Sequence, residues 1–122
     1  MPRALHHLAL GARDVERVAA FYRATLGLGE VARHLDAGGA LRSIWLRAGE
    51  VVLMIERTSD ELRHVDGVGA GPFLLAFDVS LDERAELESR VVVESRSEHT
   101  SYFRDPEGNR VALSHYPLPR GE

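Results

Sequence analysis

The chain has 122 residues, a formal net charge of −4, 44% hydrophobic residues and no cysteine, and its 15 basic residues are all arginine. That length suits one domain, or two small halves around a shared core. Missing cysteine excludes disulfides, thiolate zinc sites, iron–sulfur clusters and a cysteine nucleophile, and missing lysine excludes Schiff-base chemistry and the P-loop.

The opening residues Met1-Pro2-Arg3-Ala4-Leu5-His6-His7 contain no apolar signal core. No apolar run approaches the roughly 18 residues that cross a bilayer. The arginines are scattered, so the charge pattern carries no nucleic-acid footprint. We therefore expect a cytoplasmic location, with neither membrane nor nucleic acid as partner.

Leu5 to Leu10 is a short apolar strand ended by Gly11. Asp14 is placed to cap a helix in which Val15, Val18, Ala19, Tyr22 and Leu26 form one apolar face. Gly27 stands where a left-handed helix stop belongs. Three strands follow, Glu30 to Leu35, Leu41 to Arg47 and Val51 to Glu56, separated by Gly38-Gly39 and by Ala48-Gly49-Glu50. A glycine-containing connector spans 58–71. The order then repeats with a strand at Phe73 to Val79 and a charged helix at Leu81 to Arg90. Strands at Val91 to Ser95, Tyr102 to Arg104 and Arg110 to His115 complete it.

The repetition extends to residues. With His7–Arg17 set above Leu74–Arg84, Leu8 meets Leu75, Ala9 meets Ala76, Glu16 meets Glu83 and Arg17 meets Arg84. The closing strands Val51–Met54 and Val111–Ser114 also correspond. We expect one domain over 1–122 with half-modules 4–57 and 72–117 and linker 58–71.

Alternation along the strands puts Val51, Leu53, Ile55, Leu75 and Phe77 against the helices. The opposite faces carry His7, Ala9, Trp45, Val52, Met54, Glu56, Leu74, Ala76, Ala112 and Ser114. If the halves curve toward each other or toward a partner chain, those faces become a cup.

His7-Leu8-Ala9-Leu10, then Asp14-Val15-Glu16-Arg17 leading to Phe21-Tyr22-Arg23-Ala24-Thr25-Leu26-Gly27, and finally Ser101-Tyr102-Phe103-Arg104-Asp105-Pro106-Glu107-Gly108-Asn109-Arg110-Val111 together resemble the vicinal oxygen chelate superfamily. This is the group of glyoxalase, bleomycin-resistance and extradiol dioxygenase proteins. The resemblance runs from about Leu5 to Tyr116. It implies an α+β fold of two βαβββ modules forming a cup-shaped mixed sheet with helices on the outer face. It also implies a homodimer.

Metal-using members hold a divalent ion in the cup through histidines and glutamates on the opening and closing strands. By that resemblance His7 is the only retained ligand position, because Leu74, Val52 and Ala112 stand at the other three. His6 and His115 should point away from the cup by parity, and His99 precedes a strand. No metal is therefore expected, with a divalent metal as the alternative.

The remaining lining is apolar with few polar points, which suits an organic ligand. We take His7, Trp45, Val52, Met54, Leu74, Ala112 and Ser114 as the ligand-binding candidates and His7 as the one catalytic candidate. Trp45 and Met54 would stack on a flat molecule. Arg33, Arg42 and Arg47 are candidates for a rim favouring an anionic or carbonyl-bearing ligand.

Three functions follow: a metal-independent binder of a small hydrophobic or aromatic molecule, a metal-dependent lyase, isomerase or dioxygenase with ligands rearranged around His7, and a cofactor-free enzyme using His7 as base. The first is the expectation.

Overall fold

Asp14 and Gly27 bracket the first helix. In the computed structural model, which describes residues 1–119, α1 spans Val15–Leu26 after β1, His7–Ala12. The Asp14 carboxylate accepts from the Arg17 backbone N–H at 3.1 Å, occupying a donor that the first turn leaves free. Gly27 adopts φ 70°, and its N–H returns to the Arg23 carbonyl. A side chain is strained in that left-handed conformation, so glycine ends the helix cheaply.

Strands β2 (Gly29–Leu35), β3 (Leu41–Ala48) and β4 (Val51–Arg57) follow. They form a four-stranded sheet of order β1-β4-β3-β2, with β1 parallel to β4 and the other pairs antiparallel. Helix α1 packs on β3 and β4. Val18, Ala19 and Tyr22 are fully buried, as are Ile44, Leu46 and Ile55. Each large aliphatic side chain so buried contributes about 1.5–3 kcal/mol.

The second sheet repeats the first. It comprises β5 (Leu75–Asp78), β6 (Ser95–Arg96), β7 (Thr100–Arg104) and β8 (Arg110–Ser114), with α2 at Leu81–Glu88. Its order is β5-β8-β7-β6, again with the first and last strands parallel. The architecture is thus α+β, two βαβββ modules with one mixed sheet each. The chain divides into two compact units, Met1–Leu62 and a second that begins at Arg63.

Two strands, β5 and β6, are much shorter than the sequence predicts, and β8 ends one residue early at Ser114. The one expected at Phe73 to Val79 is only Leu75–Asp78, because β8 offers these residues the four partners Val111 to Ser114. Leu74 lies one residue before the ladder. The strand expected at Val91 to Ser95 shrinks to Ser95–Arg96 at the sheet edge. Val92 is 87% exposed between the half-buried Val91 and Val93, so this β-branched run has only a partial face to bury.

Unit 2 has a less apolar core, stabilised by polar groups that satisfy one another. Ser80 caps α2 by accepting from the Glu83 N–H, and the Glu83 carboxylate accepts from the Ser80 N–H at 2.8 Å. This capping box supports a helix of weak amphipathicity. On the helix, the buried Arg84 donates to Ser101 Oγ at 2.7 Å and to the backbone carbonyls of Ser97, Glu98 and Thr100.

The turn between β7 and β8 explains the Asp-Pro-Glu-Gly-Asn motif. Asp105 is 5% exposed, and its Oδ1 accepts from the backbone N–H groups of Glu107 and Asn109. Its Oδ2 accepts from the Asn109 side-chain amide at 2.9 Å. Gly108 supplies the φ of 87° that closes the hairpin.

Candidate functional site

Strand register decides which side chains share a face, because residues directly opposite one another point the same way. In unit 1, Val52 lies between His7 and Arg47, and Met54 lies between Ala9 and Trp45. Trp45 is also paired with Ala32, and Ser43 with His34 and Glu56. These residues form the face opposite α1. The helix-facing rows are instead Leu8, Leu53 and Leu46, and Leu10, Ile55 and Ile44.

A bulge at Val31 keeps this arrangement coherent along β2, placing both Ala32 and His34 on the open face. The aromatic rings there converge. The His34 and Trp45 centroids are 5.0 Å apart at 59°, and those of His7 and Trp45 are 6.4 Å apart and nearly parallel at 9°. Trp45 Nε1 and His34 Nε2 are buried atoms without a hydrogen-bond partner. An unpaired buried polar atom costs on the order of 1–3 kcal/mol, so two side by side need a reason.

Of the site residues expected from sequence, the register brings His7, Trp45, Val52 and Met54 onto this one face. His7 is exposed, Met54 and Trp45 are half-buried, and Val52 is 7% exposed. In unit 2, Ala112 lies between Ala76 and Tyr102, and Ser114 between Asp78 and Thr100, on the face opposite α2. Ala112 is fully buried there. Leu74, which the repeat matched with His7, precedes β5. Val52 is paired with His7 whereas Ala112 is paired with Ala76, so the two ends of the repeat differ by two residues in register.

His6 corrects a parity expectation. It precedes β1, so strand alternation does not govern it, and its Nδ1 lies 3.0 Å from His7 Nδ1. His115 lies on the helix side of unit 2, where its Nε2 accepts from Arg84 at 3.0 Å. Arginine has no acceptor atom, which makes the imidazole the acceptor and fixes the Nδ1–H tautomer. Its ring also meets that of His99, with centroids 5.2 Å apart.

The candidate rim arginines separate. Arg33 turns to the helix side and pairs with Glu16 and Glu30. Its hydrogen bond holds the Glu30 carboxyl below the usual carboxylate range. Arg42, the extra residue where the β2–β3 register shifts, reaches Glu56 at 3.9 Å. Arg47 stays on the open face, exposed. His34 is the member of this cluster that sequence reasoning missed. The bulge moves it onto the face, and no residue pattern announces a bulge.

A divalent ion would need three or more donors, normally including carboxylates. Among the described residues no group of three or more His, Asp or Glu side chains is placed to hold one. His6 and His7 supply two nitrogens, and the row beyond them offers Val52 and Arg47. This donor set does not fit the ion that metal-using relatives carry.

The model of the glyoxalase/bleomycin resistance protein/dioxygenase superfamily matches residues 4–113. No curated protein matches the sequence. Among solved structures, lactoylglutathione lyase from Agrobacterium tumefaciens is 25% identical, covers 93% of each chain and superposes with a TM-score of 0.68. The fosfomycin resistance protein FosX from Listeria monocytogenes, solved with Mn(II) and 1S,2S-dihydroxypropylphosphonic acid, is 18% identical with a TM-score of 0.80. That match covers 97% of this chain and 96% of the other. TioX from Micromonospora sp. ML1 is 16% identical with a TM-score of 0.69, covering 94% and 100% respectively. With the family model spanning most of its length, this chain belongs to the glyoxalase/bleomycin resistance protein/dioxygenase superfamily.

Proposed function

We propose that this protein binds a small, flat, hydrophobic or aromatic molecule on the open sheet face of unit 1, without a resident metal ion. The observation that carries the reading is the cluster of Trp45, His34, His7 and Met54 on a face that lacks a metal-binding donor set. Trp45 and Met54 offer polarisable surface for a planar ring, and the imidazoles offer hydrogen bonds to a ligand carbonyl or hydroxyl. A homodimer and a cytoplasmic location complete the proposal. No helix among the described residues is long and apolar enough to cross a membrane.

Metal analysis of the untagged protein, joined to a titration with planar aromatic compounds, tests the reading. The expected result is substoichiometric metal and saturable binding that perturbs Trp45, the chain's one tryptophan. Tightly held stoichiometric nickel, zinc, manganese or iron would overturn it.

A second reading is a metal-dependent lyase, isomerase or dioxygenase with rearranged ligands around His7. The lyase and FosX likenesses favour it, as do the adjacent His6 and His7 nitrogens. It requires that His7→Ala abolish metal content and activity together.

A further inference from the structure

We propose that the ligand of this face is a planar organic anion, a carboxylate or its equivalent, whose charged end is held by Arg47 while its ring lies against Trp45 and Met54. The inference rests on the binding reading above and names the chemical class that the site would select.

Arg47 and His7 are both paired with Val52, from opposite sides of β4. With strands about 4.8 Å apart, their backbones stand on the order of 10 Å from each other. Their side chains therefore flank Val52 and can converge on one group above it. Met54 and Trp45 begin two residues along the same face, roughly 7 Å away at strand spacing. The separation between charged end and apolar floor is that of an aromatic acid rather than of an inorganic ion.

The charges nearby support this polarity. Arg33 and Arg42 are engaged by glutamates, whereas Arg47 has no ion pair or side-chain hydrogen bond among the described residues. Glu56, the acid on this face, lies two rows beyond Val52 and is met by Arg42. Trp45 Nε1, which can only donate, lacks an acceptor. Arg47 and Trp45 Nε1 are thus donors on this face without acceptors among the described residues, while Glu56 is already met by Arg42. A ligand rich in acceptors and carrying negative charge complements the face.

The test uses 2-naphthoate, uncharged 2-naphthamide and cationic 2-naphthylmethylamine, three probes with one ring system and different charge. Calorimetry on the full chain measures affinity, and the single indole N–H resonance of Trp45 reports location. Naphthoate should bind on the order of tenfold tighter than the amide, with the amine weakest. Arg47→Gln should reduce naphthoate to the affinity of the amide and leave the amide unchanged, while Arg47→Lys restores part of the preference. The indole resonance should shift with naphthoate.

Equal affinity for acid and amide, an acid preference that survives Arg47→Gln, or an unmoved indole resonance would overturn the anion assignment. In the case of equal affinities with a shifting indole resonance, the binding reading itself stands. Failure of all three probes to bind at millimolar concentration would overturn both.

Discussion

Arg84 Nε donates to Ser101 Oγ across 2.7 Å, joining α2 to β7 through two buried side chains. The same guanidinium reaches three backbone carbonyls and His115 Nε2, so its donors are spread across the 97–101 segment and the end of β8. Glu88 accepts from Ser101 and lies 3.5 Å from Arg84, which balances the buried charge. A fork-shaped cation fills this role because its donors leave in fixed, divergent directions.

Arg84→Met should therefore destabilise the protein by about 2 kcal/mol or more, since it strands the buried Ser101 Oγ and the part-buried carbonyls of Ser97, Glu98 and Thr100, and leaves Glu88 with Arg96 alone. Arg84→Lys should recover only part of that loss. Urea unfolding measures both. A midpoint for Arg84→Met within error of the parent would show that the network contributes no net stability.

Acid should weaken the fold through a specific set of carboxyls. The Ser101 hydroxyl holds Glu88 below its ordinary value of 4.5, Arg104 does the same for Glu94, and Arg33 for Glu30. Their folded values lie below their unfolded ones, so the unfolded chain binds more protons in that window and stability rises with pH across it. The contribution is complete above the ordinary value and is lost as pH falls below about 4.5 through the lowered folded values. Unfolding midpoints measured from pH 6 to pH 3 should decline, and Glu94→Gln should flatten part of the decline. Parallel curves for Glu94→Gln and the parent would exclude Glu94 as a contributor.

The β7–β8 turn should be intolerant at two positions for different reasons. Asp105→Ala leaves the N–H groups of Glu107 and Asn109 without their carboxylate and should cost roughly 2 kcal/mol. Gly108→Ala meets open space, but the φ of 87° strains any Cβ, at about 1–2 kcal/mol. Thermal unfolding of the two variants checks both costs. An unchanged melting temperature for Gly108→Ala would mean that the turn can adopt another type.

His34→Phe separates stability from binding. The substitution removes a buried nitrogen that has no partner, so the variant should be as stable as the parent or more stable by about 1 kcal/mol. Affinity for a planar ligand that hydrogen-bonds the imidazole should fall. A marked loss of stability would show instead that His34 is part of the structural core.

Much of the fold is legible in the residues because its signals are local. Asp14, the apolar spacing through Tyr22, and Gly27 describe α1 nearly to its ends, and Asp105 with Gly108 marks a hairpin. The Ser80-x-x-Glu83 capping box is an equally local signal at the start of α2. Strand ends were harder, since β5 and β6 extend only as far as a neighbour pairs with them or a face covers them.

The candidate site was legible in part for the same reason. Alternation alone sorts Trp45, Val52 and Met54 onto one face, and β1 adds His7. It fails at His34 and Arg42, where register shifts in β2 and β3 break the two-residue period, and at His6, which precedes its strand.

Composition and spacing by themselves determined the absent chemistries and the two-module order. Tertiary structure alone decided the state of each charge. Arg33 is taken up by Glu16 and Glu30, Arg42 by Glu56, and Arg47 is left on the open face, across Val52 from His7. The physical reason is that ion pairing depends on distances of a few ångströms between strands and helix. Separation along the chain does not encode those distances.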